Sequence, residues 1–278
     1  MAAIYIQKAD GEMELFEPAK LLLSLKRSGS SRDLAEKVVT HVENELVDGM
    51  TTQEIYKYAY DLLRQYEHDN PIAAAKYSIK RAILELGPSG FPFEEFIAGV
   101  MEAHGATEVV SGVMLQGKCV PHEVDVVGFK DGKRFGMEVK FHNSLSTKTD
   151  LKVALYIKAR FDDLALASGD SKIEQSWLVT NTRFTRNVVR YAKCSGSLKL
   201  LGWDYPHKRG LEVLIEEAHL HPITMLTTLT NREKRNLLDA DKVLCRDVRD
   251  NKDVLLDAGV HADKVDMVLR QATELCNS

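Results

Sequence analysis

The chain has no apolar run approaching about 18 residues, so no membrane-spanning helix and no membrane partner are expected. Its first residues, MAAIYIQKADGE, show no basic segment followed by a long apolar core, so no secretory leader is expected there. Cysteine is scarce. Cys119, Cys194, Cys245 and Cys276 stand far apart without a CxxC pair, which argues against zinc and fits a reducing cytoplasm. There is no GxxxxGK[ST] loop, which excludes a P-loop protein, and no long repeat or low-complexity tract, which excludes a solenoid.

What remains is an ordinary globular composition over 278 residues, 44% hydrophobic and 28% charged, enough for two or three domains. The net charge of −4 is unevenly spread. Residues 1–88 hold 11 basic and 14 acidic side chains, residues 143–210 hold 12 and 6, and residues 222–278 hold 9 and 10. The basic middle is either a surface that attracts a polyanion or a solvated face, and charge alone does not decide between them.

Helix and strand patterns divide the chain into three blocks. AIYIQKADGEMELFEP reads as a strand pair turned at Asp10-Gly11, followed by helices at Pro18–Lys26, Arg32–Leu46, Thr52–Glu67 and Pro71–Leu86. Ser31 and Thr51 or Thr52 are placed to cap the second and third of these. GPSGFP (87–92) reads as a linker. FEEFIAGVMEAHG is then an amphipathic helix ended by Gly105, and a strand spans Thr107–Leu115. Further along come a helix over Thr149–Ala167, a strand at WLVTN (177–181) and a helix over Thr185–Cys194. SLKLLGW (197–203) and LEVLIE (211–216) read as short strands. Strands interleaved with helices predict a layered α/β domain. From Pro222 onward the pattern is helical, with Gly259 as a helix stop.

The most informative stretch is HEVDVVGFKDGKRFGMEVKFHN (122–143), two apolar strands that carry Asp125, Glu138 and Lys140. With Asp131-Gly132 as a two-residue turn, Lys130 faces Lys133 and every opposed pair sums to the same number. Asp125 then faces Glu138, with opposed Cβ atoms about 4.5–5.5 Å apart. Side chains alternate along a strand, so Lys140 emerges beside Glu138. Two carboxylates this close repel unless a proton or a cation lies between them. Oxygen ligands favour a hard ion such as Mg²⁺ (or Mn²⁺), and a neighbouring lysine would orient a bound water or stabilise charge on a phosphate. A salt-bridge cluster on a sheet face is the alternative.

Asp125 followed by Glu138-Val139-Lys140 resembles the PD-(D/E)xK signature of restriction-endonuclease-like nucleases. FEEFIAGVMEAHGA, VDVV, MEVKFHN and WLVTNTRFTRNVVRYA resemble the Mrr-type branch in the same order, over about Phe93 to Trp203. The resemblance implies Asp125 and Glu138 as metal ligands assisted by the Val139 carbonyl, with Lys140 as the catalytic lysine. It implies Glu94 as a further acid of the site, with Glu95 as its rival. Glu123 is either an outer acid of the site or simply exposed. His142 and Asn143 either touch phosphate or merely end a strand. Arg183 and Arg186, with Thr182 and Thr185, either meet a DNA backbone at a helix N-terminus or are ordinary surface residues. Pro121 stands four residues before Asp125 rather than next to it.

Residues 3–88 resemble the ATP-cone, a regulatory nucleotide-binding domain. The resemblance runs through IYIQKADGEMELF, PAKLLLSL, DGMTTQEIYKYAYDLL and AAAKYSIKRAI. It implies that Lys8, Glu14, Lys20 and Thr52 contact an adenine nucleotide, ATP or dATP, and lysines suit phosphates as point charges. Ala9 replaces the family's second basic residue, and Tyr56 stands where some members carry histidine. Nothing in this block resembles a water-activating site. In the tail, LLDADKVLCRDV and DVLLDAGVHADKVDMVLRQATEL resemble helix-hairpin-helix DNA-binding modules, whereas the block's slight negative charge favours protein interaction or dimerisation.

These readings combine into a multi-domain α/β protein. A mostly helical ATP-cone occupies 1–88, a restriction-endonuclease-like α/β sandwich with a mixed sheet occupies 89–216, and a helical domain occupies 217–278. The expected function is a cytoplasmic, homodimeric, Mg²⁺-dependent DNA endonuclease with ATP or dATP as allosteric ligand. The other reading is a non-catalytic, nucleotide-responsive DNA-binding or regulatory protein that keeps a nuclease fold. The intact Asp125, Glu138 and Lys140 set argues against it.

Overall fold

The structure, a computed structural model, describes residues 3–8, 11–67, 72–87 and 90–277. The first block opens on an antiparallel pair, β1 (Tyr5–Gln7) and β2 (Met13–Leu15), in which Tyr5 faces Leu15. The Lys8 N–H donates to the Glu12 carbonyl at 2.8 Å, and Gly11 stands at φ 86°, a left-handed conformation that suits a tight connection. The turn expected at Asp10-Gly11 falls in part outside the described residues. Ala9 and Asp10 lie outside the described residues.

Five helices follow: α1 (Pro18–Arg27), α2 (Arg32–Glu45), α3 (Thr52–Tyr66), α4 (Ile72–Tyr77) and α5 (Ile79–Leu84). Ser31 caps α2, and Thr51 with Glu54 forms a full capping box on α3. The single helix expected over 71–86 breaks at Ser78, whose hydroxyl donates to the Ala75 carbonyl at 2.7 Å. Such back-bonding competes with the helical ladder. Pro71, expected in its first turn, lies outside the described residues. Leu25, Val38, Val42, Ala59 and Leu63 form the core of this block.

The middle block begins with α6 (Phe91–Ala103), so Phe91 and Pro92 of the expected linker already belong to a helix; Pro88 and Ser89 lie outside the described residues. Three long strands come next, β3 (Thr107–Gln116), β4 (Pro121–Lys130) and β5 (Lys133–Lys140). A short β6 (Lys148–Thr149) leads into α7 (Leu151–Ala165), then β7 (Gln175–Thr180), β8 (Arg183–Phe184), α8 (Arg186–Ser195), β9 (Leu198–Leu201) and α9 (Leu211–Glu217). The main sheet runs β3-β4-β5-β7-β9, antiparallel across its first three strands and parallel across the last three, while β6 and β8 form a separate parallel pair. The mixed sheet expected for an α/β fold is present.

Alternation along the strands sorts side chains to two faces. Phe135, Met137 and Val139 join α6 on one face, whereas Val127, Leu178 and Leu200 join α7 and α8 on the other. Gly136 lies on the α7 face beneath Phe161, which an added Cβ would meet at 2.8 Å. One expectation fails here. Residues 211–216, read as a strand, lie in the helix α9, because Leu211 and Ile215 are both buried one helical turn apart and Glu212 and Glu216 share another side.

The tail holds α10 (Asn231–Asp239), α11 (Lys252–Asp257) and α12 (Ala262–Asn277). The first of these α-helices starts later than the helical pattern from Pro222 suggests, at a capping box of Thr230 and Glu233. Gly259, at φ 87°, separates α11 from α12. The three blocks share a core: Ile79 and Ile83 of the first, Phe93 and Phe96 of the second, and Ile223, Leu226 and Val265 of the third are buried in one cluster. Among the described residues no helix is long and apolar enough to cross a membrane.

Candidate functional site

The hairpin that carries the acids is pinned by its turn. Asp131 at φ 54° and Gly132 at φ 70° give the left-handed pair that a two-residue connection needs. The ladder runs from Lys130↔Lys133 to Val126↔Met137; continued by one step, the same register sets Asp125 opposite Glu138. Both point to the α7 face. β5 and β7 end together, with Lys140 beside Thr180, so the acids lie near the carboxyl ends of parallel strands, where open α/β sheets bind ligands.

Glu138 is only 4% exposed. Its two oxygens accept from the Lys140 ammonium at 2.5 Å and the Arg160 guanidinium at 2.7 Å. Asp125 accepts from the Val139 N–H at 2.6 Å. Burial, then the facing Glu138, push the Asp125 carboxyl up to about 6. Glu94, at the start of α6, is pushed up to about 7 by burial and then by Asp125, Glu123 and Glu138. Four acids thus share one field, although Glu94 does not close onto the pair. Among the described residues no three His, Cys, Asp or Glu side chains stand close enough to hold a metal ion together. Glu95 turns away to accept a hydrogen bond from Ser111.

Arg160 is the residue that the sequence reading missed. It sits on α7, stacks over Tyr156 at 5.6 Å and also donates to the Glu123 carbonyl, tying β4 to β5 through Glu138. Its one signal is position: it borders the buried Ala154, Ile157 and Phe161 stripe of a helix that must cover the acid-bearing face.

The other expected contacts are held in different ways. The His142 ring bonds Thr149 at 2.9 Å, and its backbone N–H and carbonyl pair with the Asn181 side chain, each at 2.8 Å. Burial and Lys140 lower its pKa. This ring is therefore committed inside the strand ends, while Asn143 is exposed beside it. Arg183 is tied to Asp204 at 2.8 Å, and Arg186 is exposed in the first turn of α8. Opposite the acids, Asp163 binds the Cys119 and Val120 N–H groups and His122, which closes the β3–β4 loop. Its hydrogen bond to the Cys119 thiol raises that thiol's pKa, the reverse of an activated nucleophile.

This field makes a stability prediction of unusual sign. A carboxyl raised from 3.8 to about 6 favours the folded state below 3.8 and penalises it progressively as pH rises through 6. Asp125→Asn keeps an acceptor for the Val139 N–H and removes the repulsion. The variant is expected to gain on the order of 1–2 kcal/mol at pH 7.5, a melting temperature about 2–6 °C higher, with no gain at pH 4. Thermal melts at both pH values check it.

In the first block, Lys8, Glu14, Lys20 and Thr52 line one cavity of about 280 Å³. Gln7 bridges Thr51, and its N–H donates to the Met50 carbonyl at 3.0 Å, which brings β1 to the start of α3. Both lysines hold the Glu14 carboxylate, and Lys20 also reaches Glu17 at 2.8 Å. Hydrogen bonds from Lys20 and Lys8 pull the Glu14 carboxyl down to about 2. Tyr56 and Tyr77, stacked with centroids 5.1 Å apart, form the cavity's inner wall.

Two lysines, from the hairpin and from α1, thus line this hollow. Residues 4–85 match the ATP cone domain, which supports adenine-nucleotide binding. Residues 221–276 match the AF1548-like C-terminal domain. An uncharacterized protein of Archaeoglobus fulgidus is 39% identical over 180 residues, spanning 64% of this chain and 99% of its own length. A crystal structure titled as the protein of unknown function AF1548 aligns with a TM-score of 0.57 at 37% identity, covering 68% of this chain and 99% of that one. The chain belongs to the AF1548-like family.

Proposed function

We propose that the protein is a Mg²⁺-dependent DNA endonuclease of the restriction-endonuclease-like, PD-(D/E)xK type, controlled by ATP or dATP at its cone. The observation that carries this is half-buried Asp125 set across from buried Glu138, with Lys140 bonded to Glu138 at the strand ends. The donor set suits a hard divalent ion: two carboxylates, one of them with a pKa raised by burial and by the facing Glu138, together with the Val139 carbonyl. Asp125, Glu138 and Val139 would hold Mg²⁺ (or Mn²⁺), which when bound polarises a phosphate oxygen and acidifies water.

The chain's own residues supply the rest. Arg160 fixes Glu138 against α7, so its carboxylate keeps one orientation. Lys140, about one-third exposed, reaches solvent where a phosphodiester would lie and stabilises charge building on its oxygens. Glu94, with its raised pKa, is suited to exchange a proton near neutral pH. Asn143 and Arg186 are exposed and free to meet a DNA backbone, whereas His142 acts by positioning the strand end.

The test is cleavage of linear, supercoiled, nicked and branched DNA with Mg²⁺ and with EDTA. Mg²⁺-dependent scission of at least one substrate is expected. Binding to DNA without scission of any would favour the non-catalytic, nucleotide-responsive DNA binder instead.

A further inference from the structure

The cone's nucleotide cavity has a second side. Tyr56 and Tyr77, its inner wall, also line a hollow of about 250 Å³ between the cone and the sheet domain. One bank of that hollow carries Arg27 from the end of α1, and Lys76 and Lys80 from the helices around Tyr77. The other bank carries Trp203 together with Glu212 and Glu216 of α9. α1 reaches both places, since Lys20 lines the nucleotide cavity and Arg27 lies two turns further on.

The two banks are opposite in charge. Among the described residues no ion pair joins Arg27, Lys76 or Lys80 to Glu212 or Glu216. They nevertheless feel each other. Burial lowers the Lys80 pKa against the pull of Asp204 and Glu212, and burial raises Glu212 against that of Arg27 and Lys80. Lys80 lies over the Trp203 ring at 5.5 Å. Partly desolvated opposite charges held apart gain Coulomb energy if the gap shortens.

Trp203 leads back to the candidate active site. Its N–H donates to the Thr182 carbonyl at 2.8 Å, and its carbonyl accepts from the Glu212 N–H at 3.2 Å. Thr182 follows Asn181, whose side chain holds both backbone groups of His142, two residues beyond Lys140.

We propose that nucleotide binding in the cone closes this charged cleft, with the Tyr56–Tyr77 stack as the moving partition. Closure brings the Lys76 and Lys80 bank onto α9, and Trp203 passes the shift to the Asn181–His142 clasp beside Lys140. The ligand that drives it is an adenine nucleotide; only the last step rests on the nuclease reading.

The test needs no cleavage. The chain has two tryptophans, Trp177 and Trp203, so in full-length protein carrying Trp177→Phe the emission reports Trp203 alone. ATP binding is followed by calorimetry on the same sample. Trp203 emission is expected to change saturably, with the calorimetric midpoint, although Trp203 does not line the nucleotide cavity. Coupling is reciprocal, so Glu212→Gln and Lys80→Met are each expected to weaken ATP binding roughly fivefold or more. Unchanged Trp203 emission at saturating ATP, or wild-type ATP affinity in both variants, overturns the proposal while leaving the cone a nucleotide site. If calorimetry shows no ATP binding, the proposal falls with the cone's ligand. Inactivity on DNA, by contrast, leaves the cleft result standing.

Discussion

Lys140→Ala is expected to lower Mg²⁺-dependent DNA cleavage by at least about 100-fold, the scale of removing one preorganised donor from a site where charge develops. Stability is expected to change little. Lys140 is one of two cations on Glu138, and Arg160 keeps the other oxygen paired at 2.7 Å. Losing a partly exposed hydrogen bond of this kind costs about 1 kcal/mol. Single-turnover cleavage beside a thermal melt separates the two effects. An equal loss in cleavage and in folded fraction would mean that Lys140 serves structure alone.

The second large effect is in the cone. At a hundredfold excess over its dissociation constant, ATP or dATP is expected to stabilise the wild type by about 2.7 kcal/mol. For a domain of 150–250 residues that is a melting shift of about 5–10 °C. Lys20→Ala is expected to remove most of it, because Lys20 lines the cavity with Lys8, Glu14 and Thr52 and supplies one of its two ammonium groups. The unliganded variant should melt with the wild type, since exposed ion pairs contribute little. A full nucleotide shift in Lys20→Ala would place the phosphates elsewhere.

The parts of this structure that were legible in the sequence are those fixed by local geometry. The Asp131-Gly132 turn pins the hairpin register, so facing Asp125 against Glu138 follows from counting residues. The strand pair expected at the cone hairpin is likewise present, with Tyr5 opposite Leu15. The segment 211–216, by contrast, misleads: a short apolar run has too few periods to tell strand from helix. Contacts made by crossovers are silent in the sequence. Arg160 reaches Glu138 only because α7 folds back over the sheet, and His142 is clasped only because β7 ends beside β5. The Tyr56–Tyr77 partition depends likewise on how α3 meets α4.

The charges at the strand ends exist for chemistry or for stability, and Asp125→Asn separates the two in one paired measurement. Melting temperature and Mg²⁺-dependent DNA cleavage are recorded on the same preparation at pH 7.5. The account predicts a variant that melts higher than the wild type and no longer cuts DNA. A variant that melts lower and cuts DNA as well as the wild type would contradict it, and would make Asp125, Glu138, Lys140 and Arg160 a structural ion cluster.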